Sequence, residues 1–234
     1  MGTDRIGEFI LEMVALIFSL SLHEAGHAWM SNRFGDDLAR SQGRISLNPI
    51  THVDPIGTLL FPAIGFFTGA PVLGWARPTP VNPLRWRNKR VANFWVSIAG
   101  VLGNLLIVIV AGITIRVLFE TGVIGIDFGA RSWMPIAPIS SSDAFARGAV
   151  NLLSVMFTLN VGLFVFNLLP IPPLDGSKIL SSILPSRFES AIAAIEQFGF
   201  ILLFIAVFTG VLRGIFTFVM PIAFNLVFLG KFQI

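Results

Sequence analysis

Apolar stretches of membrane-spanning length alternate with short polar connections along the chain. Three runs, 6–31, 92–119 and 146–169, each have the roughly 20 residues that an α-helix needs to cross a bilayer. Residues 198–230 are also apolar, although glycine, arginine and proline interrupt them. There we expect a spanning helix from 196 to 212, followed by a shorter terminal helix.

The remaining segments are shorter or broken. Residues 55–75 are apolar but contain several glycines and prolines, so they form either a spanning helix or a re-entrant hairpin whose backbone is covered by protein or water. The weak alternation of GRISLNPI, within the polar segment 32–54, predicts a short strand or hairpin. Residues 177–184 predict a short helix, and 185–197 an amphipathic helix at the interface.

Composition agrees with a membrane protein. The chain of 234 residues is 54% hydrophobic and 12% charged, against about 25% charged in soluble domains. We expect an all-α polytopic membrane protein with about four to six membrane helices, a re-entrant segment and a short β-hairpin at the membrane edge. Residues 1–234 are expected to form a single membrane-embedded domain. The absence of cysteine excludes thiolate metal ligands, and basic residues near membrane boundaries indicate topology control rather than nucleic-acid binding.

The first apolar run contains His23-Glu24-Ala25-Gly26-His27, where hydrocarbon would normally surround the chain. Charged groups at that depth cost about 2.5–3.5 kcal/mol each, and a divalent metal can compensate. On a helix, His23 and His27 lie on one face and can bind one zinc ion. Glu24 lies beside that line, where it can take a proton from a metal-bound water. The alternative is that these side chains bond only to neighbouring helices.

A catalytic zinc site needs three protein ligands and an open position. Asp175 directly follows a proline-broken apolar helix, an unusual place for a carboxylate, and is the preferred third ligand. His52, the only other histidine, is the alternative, although it could equally brace a loop. A peptidase with a glutamate as third ligand is a further alternative, and its candidates are Glu120, Glu189 and Glu196.

The choice of Asp175 predicts the topology. Asp175 and the histidines lie near the C-terminal ends of their helices, so they can share a metal only if these two helices are parallel. Residues 31–91 must then begin and end at the same face, which makes 55–75 re-entrant. Eight of the sixteen basic residues lie in 31–91, and the positive-inside rule makes that region cytoplasmic.

The motifs HEAGH, FNLLPIPPLDG and GWARPTPVNP together resemble those of the site-2 protease family of intramembrane zinc metalloproteases. The resemblance covers nearly the whole chain and is greatest to small bacterial members without PDZ or CBS domains. It implies one zinc ion per chain held by His23, His27 and Asp175, with Glu24 as the catalytic base. It also implies that Asn167 lies near the substrate or the oxyanion.

Asn104 is a second candidate for substrate binding, because an amide within lipid needs a partner. The glycines beside it, Gly100 and Gly103, are expected to serve helix packing.

The resemblance implies that the chain hydrolyses peptide bonds of single-span membrane proteins or their remnants, in regulated intramembrane proteolysis. A strand-like edge near 45–50 or 72–82 could hold the unwound substrate by β-addition. We expect a multi-pass protein of a bacterial inner membrane, in contact with lipid and not with nucleic acid, whose active site lies near the cytoplasmic face. The alternative function is a catalytically silent membrane scaffold or metal-handling protein.

Overall fold

The structure, a computed structural model, describes residues 2–69, 74–127, 134–139 and 143–229, and only the backbone of residues 2–4 and 189. In this part of the chain nine α-helices and two β-strands form. The helices are α1 (Gly2–Arg33), α2 (Leu38–Ser41), α3 (Phe61–Thr68), α4 (Lys89–Glu120), α5 (Ala144–Leu168), α6 (Asp175–Ile183), α7 (Glu189–Glu196), α8 (Gly199–Phe208) and α9 (Val211–Phe228); the strands are β1 (Ile124–Ile126) and β2 (Ile136–Pro138).

Four of the described helices, α1, α4, α5 and α9, are long and apolar enough to cross a membrane. The bent pair of α7 and α8 would make a fifth span if it is counted as one. The fold is therefore all-α and polytopic, as the apolar runs predict.

Helices α1, α4 and α5 pack together and position the site. Contacts pair His27 with Val96 and His23 with Asn104, so α1 and α4 are antiparallel. Ser19 of α1 contacts Asn160 of α5, while the histidines further along α1 contact the residue that opens α6. Helices α1 and α5 therefore run parallel, as a shared metal site requires.

The segment after α1 leaves the helix bundle and returns to the same end. Residues Pro55–Leu60 form a π-helix that continues into α3, and the 14 residues together rise only about 21 Å, too little for a hydrocarbon core of about 30 Å. Trp75 then lies back beside the start of this segment, because its N–H donates to the Gly57 carbonyl (3.1 Å) and its carbonyl accepts from Thr58 (2.8 Å). This geometry agrees with the re-entrant alternative.

The β-hairpin lies elsewhere than GRISLNPI suggests. Strands β1 and β2 pair antiparallel in the connection between α4 and α5, and Ile124 and Ile136 pack into a core cluster with Phe157 and Phe224. The strand predicted at GRISLNPI is wrong. Asn48 instead caps a 3₁₀-helix (Pro49–Thr51), which Pro49 favours by fixing φ and lacking an N–H.

The C-terminal part also differs from expectation. The spanning helix predicted at 196–212 is wrong, because α8 has only 10 residues and is bent by 61° from the preceding helix. Gly210 adopts a left-handed conformation (φ 80°) that ends α8, and the following α9 has the spanning length. Glycine reaches this conformation without steric strain, which explains the break inside a continuous apolar run.

Candidate metal centre

Three side chains from two elements meet beneath the C-terminal end of α1. His23 and His27, one helical turn apart, approach to 3.0 Å between their Nε2 atoms. The Oδ2 atom of Asp175, the first residue of α6, lies 3.2 Å from each of these nitrogens. All three residues are buried, with at most 9% of their surface exposed.

The three facing atoms are all hydrogen-bond acceptors. His27 directs Nδ1 at the Val96 carbonyl (2.7 Å), and His23 directs Nδ1 at the Asn104 Oδ1 (2.7 Å). Each Nδ1 therefore carries a ring proton, so that in the neutral form, the form that binds metal, each imidazole presents an Nε2 lone pair. Two lone pairs and a carboxylate oxygen repel one another unless a cation lies between them.

The spacing fits a zinc ion. Ligands at about 2.0–2.2 Å from tetrahedral zinc lie about 3.3–3.6 Å from one another, and the observed spacings of 3.0–3.2 Å are within a few tenths of an ångström of the lower value. Two imidazoles and one carboxylate also suit zinc by ligand type and leave a fourth position open. Residues His23, His27 and Asp175 could therefore hold this metal.

Asp175 reaches the histidines because the chain turns sharply between α5 and α6. At Gly176 a Cβ would lie 2.3 Å from the carbonyl oxygens of both Leu168 and Leu169, so only glycine allows α6 to begin so close to α5. The second carboxylate oxygen of Asp175 lies 3.6 Å from the ammonium of Lys178, a nearby cation that favours the ionised form of the carboxyl.

Glycines bring α4 close enough to enclose the histidines. A Cβ at Gly26 would lie 2.7 Å from the Ala99 carbonyl oxygen. A Cβ at Gly100 would lie 2.4 Å from Nε2 of His27 and 2.9 Å from Cε1 of His23. The expectation that Gly100 serves helix packing is therefore incomplete, because its missing side chain also leaves room for both imidazoles.

Glu24 lies beside the histidines, and hydrogen bonds from Thr79 hold its carboxylate in place. One ligand atom from each of His23, Glu24 and His27 lies within 4.8 Å of the others. The Oε2 atom of Glu24 accepts from the backbone N–H (2.8 Å) and the hydroxyl (2.6 Å) of Thr79. With Oε2 occupied, the second carboxylate oxygen is the one left for a reactant.

Thr79 belongs to an extended segment, 75–82, that we call the strap. The Arg77 N–H donates to the His52 carbonyl (2.8 Å), and the Asn82 N–H donates to the buried Asp36 (2.7 Å). The buried guanidinium of Arg44 donates to the carbonyls of Arg77 and Pro78 (3.5 and 3.4 Å), and also to that of Thr51. These anchors fix the strap on both sides of Thr79. The motif GWARPTPVNP was the only signal for this contact in the sequence, and it did not single out Thr79.

The other candidates from the sequence lie in different settings. Asn104 is fully buried, and its amide bonds His23 and Asn160. Asn167 is half-buried and donates to Leu163 of its own helix (3.0 Å), so its substrate role stays a prediction. The Nε2 atom of His52 bonds the Ser46 carbonyl (2.8 Å), which fits a loop brace.

Of the glutamates considered as a third ligand, Glu120 pairs with Arg116 at 2.6 Å, at the end of α4 remote from the histidines. Glu196 is exposed, and the side chain of Glu189 lies outside the described part of the chain. Asp175 is the carboxylate that contacts both histidines.

Comparison with known proteins identifies the family. The model of "Peptidase family M50" matches residues 11–206. The chain is 39% identical to "Putative zinc metalloprotease YwhC" of Bacillus subtilis, over 81% of this chain and 76% of the relative. It is 29% identical to "Putative zinc metalloprotease Rip2" of Mycolicibacterium smegmatis, over 89% and 70% of the two chains. No solved structure matches significantly. The match over most of the chain shows that this multi-pass membrane protein belongs to peptidase family M50, the site-2 protease family.

Proposed function

We propose that this protein is an intramembrane zinc metalloprotease that hydrolyses peptide bonds of membrane-spanning substrates. The observation that carries the proposal is the triangle of acceptor atoms from His23, His27 and Asp175, with the Glu24 carboxylate beside it. Such a donor set with an open position and an adjacent carboxylate is the arrangement of zinc peptidases.

We assign His23, His27 and Asp175 to holding one zinc ion per chain. When bound there, the metal polarises the scissile carbonyl and makes water a nucleophile near neutral pH. Glu24 accepts a proton from the attacking water through the carboxylate oxygen that Thr79 does not hold. It then delivers that proton to the leaving amine, so that water is added across the C–N bond.

The position of the site among membrane-spanning helices supports the proposed substrate class. A groove of about 370 Å³ opens beside the site; Leu22, Ala25, Gly26, Trp29, Ile45, Ser46, Leu47 and Gly103 line it. Among the described residues, no hydrogen bond is formed by the backbone groups of Ile45 and Leu47. An unwound single-span protein, or its remnant, could approach from the lipid and pair with this edge by β-addition.

The bacterial relatives and the charge pattern support a location in a bacterial inner membrane, with the metal centre near the cytoplasmic face. Eight of the sixteen basic residues lie in 31–91, from the last turn of α1 to the first turn of α4, and the metal centre lies near this end of both helices. The positive-inside rule makes this end cytoplasmic. We therefore infer a bacterial inner membrane protein, one domain over 1–234, that cleaves its substrates near the cytoplasmic face in regulated intramembrane proteolysis.

Cleavage of labelled single-span peptides by the purified protein in detergent tests this function. Wild type is compared with Glu24→Gln, and zinc content is measured in both. The proposal predicts one zinc per chain in both proteins and cleavage by wild type only. A wild-type protein that binds zinc but cleaves none of a broad panel, even in vesicles, would favour the silent scaffold. A folded wild type without zinc would contradict the proposal directly.

A further inference from the structure

Three polar side chains lie fully buried among α1, α4 and α5, further from the C-terminal end of α1 than the histidines. They are Ser19, Asn104 and Asn160, and each has 0% exposure. A buried amide or hydroxyl at membrane depth is costly unless it is hydrogen-bonded. These three are bonded to one another and end at His23, which suggests a role beyond packing.

The donor and acceptor of each hydrogen bond in this series are fixed from the end furthest from His23. The Nδ2 group of Asn160 donates to the Met156 carbonyl (2.7 Å), and a carbonyl can only accept. The Oδ1 atom of Asn160 must therefore face Asn104, whose Nδ2 donates to it (2.9 Å). The Oδ1 atom of Asn104 is then the atom that faces Nδ1 of His23 (2.7 Å).

The hydrogen bonds of Ser19 agree with this assignment of donors and acceptors. The Asn160 amide also donates to the Ser19 hydroxyl (2.8 Å), which in turn donates to the Ala15 carbonyl (2.6 Å). Rotating the Asn160 amide by 180° would place its oxygen against the Met156 carbonyl and its N–H₂ against that of Asn104. Only one orientation of both amides satisfies all groups.

We infer that Asn160 and Asn104 form a relay that sets the tautomer of His23, and that both are positioning residues of the metal site. The relay makes Nδ1 the protonated nitrogen and leaves the lone pair on Nε2, which faces His27 and Asp175. His27 needs no relay, because its Nδ1 donates directly to the Val96 carbonyl. The inference rests on the proposed zinc site.

Zinc affinity in the full-length protein, measured by competition with a chromogenic chelator, tests the relay. Asn104→Leu should lower zinc affinity about 10- to 100-fold, as loss of the hydrogen-bond partner of a metal-binding histidine does. Asn160→Leu should lower it about tenfold, because the Asn104 amide can then turn its N–H₂ toward His23. Asn104→Asp keeps an acceptor at His23, but its second oxygen faces the Asn160 oxygen, so its own affinity should fall.

The double variant separates a relay from general packing. In the Asn104→Asp background both carboxylate oxygens accept, so orientation no longer matters. Asn160→Leu should then leave zinc affinity unchanged or raise it, since it removes the facing oxygen. A merely structural role for Asn160 predicts the same loss in both backgrounds, and that result would overturn the inference.

The tautomer itself can be read without metal. Nitrogen-15 NMR of histidine-labelled wild-type protein, stripped of zinc, should show His23, assigned by comparison with His23→Gln, protonated at Nδ1. An Nδ1 without a proton would overturn the relay, and this measurement requires no variant in the relay to fold. A wild type that binds no zinc would remove the proposed function, whereas the NMR result would still report on the relay.

Discussion

An alanine at Gly100 would place a methyl group where the metal ligands lie. Its Cβ would be 2.4 Å from Nε2 and 2.5 Å from Cε1 of His27, whereas ordinary contacts begin at 3.4 Å. Relief therefore needs a displacement of about 1 Å, and metal–ligand distances tolerate only about 0.2 Å. His27 cannot simply turn aside, because its Nδ1 is bonded to the Val96 carbonyl.

The expected magnitude follows from the overpacking. Overpacking in a well-packed interior costs about 1–3 kcal/mol. If that strain falls on the metal site, zinc affinity drops about five- to 150-fold, at about 1.4 kcal/mol per tenfold. Folding should be affected less, since alanine gains up to about 1 kcal/mol over glycine in a helix.

The assay is zinc affinity by chelator competition, with thermal unfolding of the same samples. Gly148→Ala is the matched control, because nothing lies within 4 Å of a Cβ at that helical glycine. The control should bind zinc as wild type does. Wild-type zinc affinity in Gly100→Ala would refute the account of how α4 encloses the histidines.

Three further outcomes are expected. Thr79→Val removes the hydroxyl hydrogen bond to Glu24 and keeps the backbone one. We expect kcat to fall about tenfold with zinc content unchanged, and Thr79→Ser to keep the wild-type kcat. Loss of zinc from Thr79→Val would contradict this role. Arg90 donates to three carbonyls at the end of α6. Arg90→Ala should therefore lower the free energy of unfolding by about 1–3 kcal/mol and weaken zinc binding several-fold, because α6 carries Asp175. Effects no larger than those of Arg87→Ala, at an exposed arginine, would contradict this role of Arg90. Chelation should lower the Tm of wild type, with recovery on adding zinc and no change in His23→Ala, since a ligand at 1,000 times its Kd stabilises by about 4 kcal/mol.

The parts of the site that were accessible from the sequence are those set by local geometry. His23 and His27 face together because residues four apart share a helix face, and this needs no knowledge of the fold. Asp175 is chosen because it directly follows a proline-broken apolar helix, and this choice predicts that its helix runs parallel to that of the histidines. The structure brings these three residues together as that reasoning requires.

The contacts that sequence reasoning missed are tertiary. Thr79 is 55 residues from Glu24, and Asn160 is 141 residues from Ser19. Neither pair has a periodic signal, because each depends on how separate elements pack. Asn160 did offer a hint, as an amide in the middle of an apolar helix.

The errors in the fold have physical causes as well. The strand predicted at GRISLNPI lacks a pairing partner among the described residues and contains a proline that favours the observed 3₁₀-helix. The break at Gly210 lies within a run whose hydropathy alone does not distinguish a bent pair of helices from one straight span.

The central claim is that one zinc ion is bound by His23, His27 and Asp175, and X-ray absorption at the zinc edge tests it most directly. The account predicts one zinc per chain in purified wild type, with two nitrogen ligands at about 2.0–2.1 Å and oxygen ligands at about 2.0–2.2 Å. Asp175→Asn should weaken or lose the metal, while Asp37→Asn, an exposed carboxylate outside the site, should leave the spectrum unchanged. A folded wild type without zinc, or a zinc spectrum with a single imidazole, would contradict the account.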